Sequence, residues 1–89
     1  MSNNEEHITT FKAIGHPVRN DILTVLKAGP MSAGDISKNF DLSNATISHH
    51  LSILREAGLV RERKDRNFVI YELNTSVFEE AIRWFKTFI

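Results

Sequence analysis

The sequence of 89 residues has no cysteine, only two prolines and four glycines, and no excess of charge of either sign. Without cysteine the chain can form no disulfide, no thiolate metal site and no cysteine nucleophile. The first six residues are polar and acidic, and no apolar run follows them that would serve as a signal peptide or a membrane span. We therefore expect one cytoplasmic domain over residues 1–89, with no insertion into a membrane.

Charge is distributed unevenly along the chain, although lysine plus arginine and aspartate plus glutamate both number 11. Residues 42–71 carry five basic and three acidic side chains, whereas the segments on either side each carry a small acidic excess. Equal totals give no evidence for a nucleic-acid partner, since attraction to phosphates needs positive charge. The middle segment alone is net basic.

Apolar spacing predicts four helices in the first two thirds of the chain. Ile8, Phe11 and Ile14 recur every third residue before Gly15 ends the first helix, and Pro17 suits the first position of the second. Serine caps open the next two helices, because a serine hydroxyl accepts a bond from an otherwise unpaired backbone donor. The predicted helices run from His7 to Ile14, from Pro17 to the Gly29-Pro30 pair, from the Ser32 cap to about Phe40, and from the Ser43 cap to Gly58.

The last third of the chain alternates like a β-hairpin and then returns to helical spacing. Strands are predicted over residues 60–63 and 68–73, joined by a loop over residues 64–67, with Val69, Tyr71 and Leu73 on the core face. A final helix runs from about residue 75 to residue 88. The predicted fold class is mainly α with a small β-hairpin, a winged helix-turn-helix of order ααααββα.

The outward face of the fourth helix is small, hydrogen-bonding and free of acidic residues. This face is found by setting Ile47 inward and turning about 100° per residue. Such side chains approach phosphates and base edges without repulsion, whereas a merely solvated face more often carries glutamate and lysine. The alternative is a set of plain exposed polar residues. The candidate DNA contacts on and beside this helix are Ser43, Asn44, Ala45, Thr46, Ser48, His49 and Ser52.

The hairpin supplies a second group of candidate DNA contacts. Its basic residues are Arg61, Arg63, Lys64 and Arg66. A cationic hairpin beside a recognition helix is placed to contact the phosphate backbone, although Glu62 and Asp65 weaken its field. Elsewhere such a run is a solvated loop, so the neighbouring helix is what favours the DNA-binding interpretation.

Residues 42–60, LSNATISHHLSILREAGLV, resemble the helix-turn-helix of the ArsR/SmtB family of bacterial repressors. Residues 11–19, FKAIGHPVR, resemble the opening motif of that family, and residues 70–73, IYEL, resemble the end of its wing. Together these spaced motifs extend the resemblance over residues 8–89. The resemblance implies a sequence-specific repressor that binds double-stranded DNA as a homodimer on an inverted-repeat operator. Within the family, the chain is most similar to the short members that lack a metal site.

The last helix has more apolar residues than one core contact needs, since a stripe of about 100° suffices for that purpose. Part of this surface can cover the winged domain, and the rest would be exposed in a monomer together with residues of the first helix. The resemblance implies that the two terminal helices form the dimer interface. The alternative is that all of these residues pack within one chain. The candidate interface residues are Ile8, Phe11, Phe78, Ile82, Trp84, Phe85 and Phe88.

The chain departs from the family at the positions that sense metal. Family members use a Cys-x-Cys pair on the third helix or Asp and His ligands on the last helix, whereas this chain has DISKN and only Glu79 and Glu80 there. Adjacent carboxylates on a helix point about 100° apart and supply neither imidazole nor thiolate. We predict no metal and no cofactor. The alternative is a site across the dimer that recruits His7 or His16.

Two further residues have more than one interpretation. His50 lies about 60° from the inner stripe of the fourth helix, so it is either a packed, hydrogen-bonded histidine or a phosphate contact that responds to pH. Arg66 stands at the wing tip, where the family commonly has glycine. We expect Asp65 or Asn67 to adopt the left-handed conformation of the turn, leaving Arg66 to reach a phosphate.

Ser48 and His49 do not resemble a catalytic pair, because adjacent helical side chains point in different directions and no recognisable carboxylate orients the histidine. We therefore predict that the chain is not an enzyme. A DNA-binding repressor is the preferred function, and a winged helix used only for protein–protein contact is the alternative. The sequence indicates neither the operator nor the inducing signal. Either a protein or a small molecule could be that signal.

Overall fold

The computed structural model describes residues 3–89, which form five helices and one three-stranded antiparallel sheet. In chain order the elements are α1 (Asn3–Ile14), α2 (Pro17–Leu26), β1 (Met31–Ser32), α3 (Ala33–Ser37), α4 (Asn44–Glu56), β2 (Val60–Asp65), β3 (Phe68–Leu73) and α5 (Thr75–Lys86). The predicted class, mainly helical with a small β-hairpin, is confirmed. The observed order adds one short strand, β1, between the second and third helices. Within residues 3–89 no helix combines the length and the apolar character that crossing a bilayer requires.

Local capping sets the starts of α3 and α4, as predicted, although α3 ends at Ser37 and leaves out the predicted Phe40. The Ser32 hydroxyl accepts a hydrogen bond from the Asp35 N–H at 3.1 Å, and the Ser43 hydroxyl accepts one from the Thr46 N–H at 3.1 Å. After α4, Gly58 adopts the predicted left-handed conformation with φ +78°, which a residue with a Cβ rarely takes.

The terminal helices differ in length from the sequence prediction. α1 begins at Asn3 rather than His7, and Glu5 and Glu6 in its first turn favour this extension because carboxylates stabilise a helix N-terminus. No apolar spacing marks this first turn, which is why the periodicity missed it. α5 ends at Lys86, two residues before the predicted Phe88.

β1 is too short to be found by alternation, and it exists because β3 pairs with it. Met31 lies opposite Tyr71 and Ser32 opposite Ile70, so the sheet order is β1-β3-β2. The hairpin is also longer than predicted, because β2 continues to Asp65, which pairs with Phe68. The predicted four-residue loop is therefore wrong, and a two-residue turn replaces it.

The core holds α4 by its inner face. Ile47, Leu51 and Leu54 of α4 are buried, and they belong to one cluster with Ile22 of α2 and Ile36 of α3. Full burial of one such side chain contributes roughly 1.5–3 kcal/mol. Since three successive turns of α4 are fixed in this way, the opposite face of the helix is held toward solvent.

Candidate nucleic-acid interface

The sequence-predicted contacts of α4 lie together on its solvent face. Residues 44, 45, 48, 49 and 52 follow the helical period, so they share one side. The structure leaves six of the seven candidates exposed, namely Ser43, Asn44, Ala45, Ser48, His49 and Ser52. Thr46 is half-buried. The face contains no acidic residue, which leaves it open to a polyanion.

Thr46 and Ser43 form a reciprocal pair at the start of α4. The Ser43 hydroxyl accepts from the Thr46 N–H and donates to the Thr46 hydroxyl oxygen at 2.9 Å. The Thr46 hydroxyl proton then remains available to an acceptor outside the chain. The positive end of the α4 dipole lies at the same place, so the arrangement suits an anion.

The four basic residues of the hairpin do not point in one direction. Side chains alternate along a strand, so Arg61 and Arg63 lie on one face of the sheet and Lys64 on the other, where its cross-strand neighbour is Val69. Val60 marks that second face as the one that meets the core. All four basic side chains, including Arg66 at the tip, are exposed. The β2–β3 hairpin, which is the wing of this fold, therefore presents positive charge on both faces and at its tip.

Glu62 lies on the core-side face of the wing, where it contacts other residues of the chain. One of its carboxylate oxygens is 3.5 Å from Nε of Arg55 on α4. Tyr71, directly opposite in the sheet, has a pKa raised above its ordinary value by burial and by its hydrogen bond to Glu62. Glu62 thus joins the hairpin to α4, and its negative charge offsets the basic residues of the outer face less than the sequence suggested.

The prediction for the wing turn is wrong, because Arg66 itself adopts the left-handed conformation with φ 60°. The expectation assigned this conformation to Asp65 or Asn67, which tolerate it better. The observed register explains the difference. Asp65 pairs with Phe68, so Arg66 is the first of two loop residues, and positive φ at that position is what tight hairpin turns require.

Phe68 is a surface residue that the sequence analysis did not select. The residue is 60% exposed and lies on the outer face of the wing, opposite Asp65. Arg63 lies diagonally across from it on the same face. The strand alternation had already placed Phe68 away from the core, and an exposed aromatic residue beside an arginine was the signal that could have identified it.

His50 is a buried residue, 8% exposed, and its Nδ1 lies 3.3 Å from Nη1 of Arg19. Burial, followed by the positive charge of His16, Arg19 and His49, lowers its pKa below the ordinary 6.5. Of its two interpretations, the structure favours the packed, hydrogen-bonded histidine. The sequence analysis gave Arg19 no role, since only the resemblance of residues 11–19 to a family motif drew attention to it.

The terminal helices carry an apolar surface that the chain covers only in part. The structure leaves four of the seven predicted interface residues exposed, namely Ile8, Ile82, Phe85 and Phe88. Phe11 and Trp84 are half-buried in an aromatic cluster with ring centroids 5.3 Å apart. Phe78 packs against the chain's own core, so it is less available to a partner than the sequence suggested.

Histidine and acidic residues near the terminal helices do not converge on a common point. His7 stacks on the Trp84 ring with centroids 5.0 Å apart, and His16 accepts a hydrogen bond from the Val18 N–H at 3.1 Å, which caps α2. In the part of the chain from residue 3 onward, no group of three or more His, Cys, Asp or Glu side chains is arranged to hold a metal ion.

Comparison with solved structures confirms the fold. HlyU from Vibrio cholerae N16961 is 31% identical and superposes with a TM-score of 0.80, over 97% of this chain and 95% of that one. An ArsR-like transcriptional regulator from Rhodococcus sp. RHA1 superposes with a TM-score of 0.91 over 99% of this chain and 83% of that one. At 24% identity, the second likeness concerns the fold alone.

Comparison with known sequences identifies the family. The transcriptional repressor SdpR of Bacillus subtilis (strain 168) is 46% identical over 79 residues, which are 89% of this chain and 88% of that protein. An arsenical resistance operon repressor of Staphylococcus aureus is 34% identical over 89% of this chain and 76% of its own length. Residues 16–62 match the model described as bacterial regulatory protein, arsR family. The resemblance found in the sequence is thereby confirmed, and this chain belongs to the ArsR family of bacterial regulatory proteins.

Proposed function

We propose that the protein is a transcriptional repressor that binds double-stranded DNA as a homodimer, without a metal or another cofactor. The observation that carries the proposal is the acid-free, exposed face of α4, which stands beside an exposed basic wing. Two relatives are described as repressors. A third, HlyU of Vibrio cholerae, is described as a transcriptional activator, so the direction of regulation rests on the first two. The proposal has the protein acting in the cytoplasm as a regulator and not as an enzyme.

In this proposal α4 enters the major groove with its N-terminal half. Ser48 and His49 reach base edges, because both are exposed at the centre of the face and both offer hydrogen-bonding groups. Thr46 donates its hydroxyl to a phosphate at the helix N-terminus. The remaining small side chains, Ser43, Asn44, Ala45 and Ser52, allow close approach of the helix to the groove.

The wing contributes affinity that does not depend on sequence. Arg61, Arg63, Lys64 and Arg66 are exposed cations, and each phosphate that they neutralise releases counterions. Binding should therefore weaken steeply with salt, and loss of one wing cation should reduce the slope of log affinity against log salt concentration by about one.

The proposed homodimer explains the apolar surface of the terminal helices. Phe85 is 53% exposed and Phe88 is 70% exposed on one chain, and a contiguous apolar patch of this kind marks an interaction site. A second copy of the chain is the proposed occupant, since two-fold symmetry matches an inverted repeat with half-sites roughly 34 Å apart. The recognition helices would then occupy successive major grooves on one side of the duplex.

The test begins with selection of genomic fragments by the purified protein, followed by footprinting and titration of the selected duplex and a random duplex at two salt concentrations. We expect salt-dependent binding to both duplexes and protection of two symmetric half-sites on the selected one. Lys64→Ala should weaken binding to both duplexes, whereas the matched control Lys27→Ala, which removes an exposed lysine at the end of α2, should not. No duplex binding at either salt concentration would instead favour the protein–protein alternative, and protection of a single asymmetric half-site would contradict the dimer.

A further inference from the structure

The Arg19 guanidinium joins three helices at one point. From its position on α2, its Nε donates to the Ala13 carbonyl at 2.6 Å and its Nη2 donates to the Lys12 carbonyl at 3.2 Å, both in the last turn of α1. Its Nη1 lies 3.3 Å from Nδ1 of His50 on α4. The planar guanidinium of arginine holds several N–H donors in fixed directions, so it can make these bonds at the same time. The ammonium group of lysine is a single charged point and cannot do so.

The bond to Arg19 fixes the protonation of the His50 ring. An arginine only donates, so Nδ1 of His50 must accept, and the ring proton of the neutral histidine is on Nε2. The centroid of the His16 ring lies 4.6 Å from that of the His50 ring, and the centroid of the His49 ring lies 5.7 Å from it. The groups that face His50 are therefore Arg19 on α2, His16 at the N-cap of α2 and the neighbouring His49 on α4, and all three lower the pKa of His50.

The same junction connects the recognition face to the terminal helices. His49 and Ser48 of the proposed reading face immediately precede His50 in α4. On the other side, Lys12 and Ala13 follow Phe11, whose ring lies 4.7 Å from the ring of Phe85 in α5. A continuous set of contacts thus runs from the proposed dimer surface through α1 and Arg19 to the recognition helix.

We propose that Arg19 is a positioning residue for operator recognition, which sets the orientation of α4 relative to α1 through its bond to Nδ1 of His50. The inference rests on the proposed function, since it concerns how that function's reading face is held. Arg19 does not itself touch DNA in this arrangement. Its loss should impair discrimination between operator and random DNA, because an operator requires both recognition helices of a dimer at a fixed spacing and a random duplex does not.

Two substitutions at His50 separate positioning from general stability. The side-chain oxygen of asparagine takes the place of Nδ1 and can accept the Arg19 bond, whereas the longer glutamine places its polar groups near Nε2, beyond that bond. Glutamine is the better helix former. If His50 served only the stability of α4, His50→Gln would therefore be the milder change, and the positioning role predicts the opposite order.

The experiment measures the affinity of each variant for the selected operator duplex and for a random duplex at one salt concentration, with thermal unfolding followed in parallel. We expect His50→Asn to stay within about threefold of the parent on the operator and His50→Gln to lose about tenfold or more, with both within about twofold on random DNA. Arg19→Gln also removes the bonds to the Lys12 and Ala13 carbonyls, so it should lose at least as much as His50→Gln. The double variant Arg19→Gln, His50→Gln should lose no more than Arg19→Gln alone, since the contact between the two side chains is already absent.

Equal operator affinities of His50→Asn and His50→Gln would overturn the positioning role, as would additive losses in the double variant. A second measurement does not involve DNA. In the free protein, Arg19→Gln and His50→Gln should shift the amide resonances of Ser48 and His49 in the same direction, and His50→Asn should leave them near the parent positions. If the parent protein does not prefer the operator over random DNA, the proposed function is refuted. If the parent prefers the operator and the variants prefer it equally, only the inference about Arg19 is refuted.

Discussion

The carboxylate of Glu62 on β2 lies 3.5 Å from Nε of Arg55 on α4, so an acidic residue of the wing is paired with a basic residue of the recognition helix. Both side chains are partly exposed, and such pairs contribute about 0–1 kcal/mol to stability. We therefore expect Glu62→Gln to change the free energy of unfolding by less than about 1 kcal/mol. It should tighten binding to random DNA at low salt, because it removes a negative charge from the wing.

The matched comparison for this prediction is Asp65→Asn, which removes a wing carboxylate at the tip. Since Asp65 has no arginine partner within the described ion pairs and stands next to the turn, its substitution should tighten binding more than that of Glu62. Fluorescence anisotropy with a labelled random duplex measures both. An equal or larger effect of Glu62→Gln would show that its pairing with Arg55 does not mask its charge.

Arg66 combines backbone strain with a role proposed for DNA binding. At φ 60° a residue with a Cβ is less stable than glycine by roughly 1 kcal/mol. We expect Arg66→Gly to raise the free energy of unfolding by about that amount, and to weaken binding to all duplexes because a cation at the tip is lost. Urea unfolding and duplex titration measure the two effects.

Asn67→Gly provides the control for the turn. Asn67 is not among the described residues with positive φ, so glycine there relieves no strain and adds freedom to the unfolded chain. The free energy of unfolding of the Asn67→Gly variant should therefore equal that of the parent protein or be lower. A gain from Asn67→Gly equal to that from Arg66→Gly would contradict the assignment of the strain to Arg66.

Features set by neighbouring residues were predictable from the sequence. The Ser43 cap, the inner stripe of Ile47 and the left-handed Gly58 each depend on residues within a turn or two, and together they define α4 and its exposed face. The strand alternation likewise identified which face of β3 meets the core. These local rules placed the candidate reading face correctly on the surface of the molecule.

Features set by distant residues were not predictable in this way. β1 has two residues, and Met31 is held in it by pairing with Tyr71, about forty residues later. The bond between Arg19 and His50 joins residues 31 apart, and only the packing of α2 against α4 brings them together. The left-handed Arg66 depends on the register of the hairpin, which the residue preferences of the turn do not reveal by themselves.

The apolar surface of the terminal helices should fail as a dimer contact when a charge is introduced. Phe85 is half exposed on one chain, so Phe85→Asp should give a folded monomer in which the carboxylate is hydrated, whereas burying it unpaired in a dimer costs several kcal/mol. Trp84→Asp should lower stability more, because Trp84 is half-buried and packs on His7 and Phe11 within the chain, whereas Phe85 also contacts Phe11 but is 53% exposed. Sedimentation velocity and circular dichroism distinguish the two variants.

The control on the same helix is Glu79→Ala, which removes an exposed polar side chain and should leave the association state unchanged. A folded Phe85→Asp protein that sediments as a dimer would place the interface elsewhere. The monomer should also lose operator affinity more than affinity for random DNA, since a single chain contacts one half-site only.

Zinc, cadmium, nickel and arsenite at low micromolar concentration should not release the protein from its operator. A sensing site needs three or four soft or imidazole ligands in fixed geometry, and the sequence supplies no thiolate. His7 and His16 make contacts of their own, with Trp84 and with the α2 backbone. Titration of each metal into the protein–DNA complex after chelator treatment is the measurement. A stoichiometric metal that lowers operator affinity tenfold, about 1.4 kcal/mol of coupling, would contradict this expectation.

Folding stability should depend on pH through His50. Burial and the positive charge of His16, Arg19 and His49 lower the pKa of His50 in the folded state below its ordinary 6.5. As pH falls, the unfolded chain therefore takes up the proton before the folded chain does, which favours unfolding. The stabilisation associated with neutral His50 is fully present above pH 6.5 and is lost as pH falls through the folded-state pKa.

Urea unfolding at about pH 7.5 and about pH 5.5, the range in which histidine titrates, measures this dependence. The parent protein should lose more stability between the two conditions than His50→Asn, because asparagine can accept the Arg19 bond but does not titrate. The variant retains the other three histidines, so the difference between the two losses isolates His50. Equal losses in parent and variant would mean that the folded chain binds the His50 proton as readily as the unfolded chain does, which would contradict the lowered pKa of His50 in the folded state.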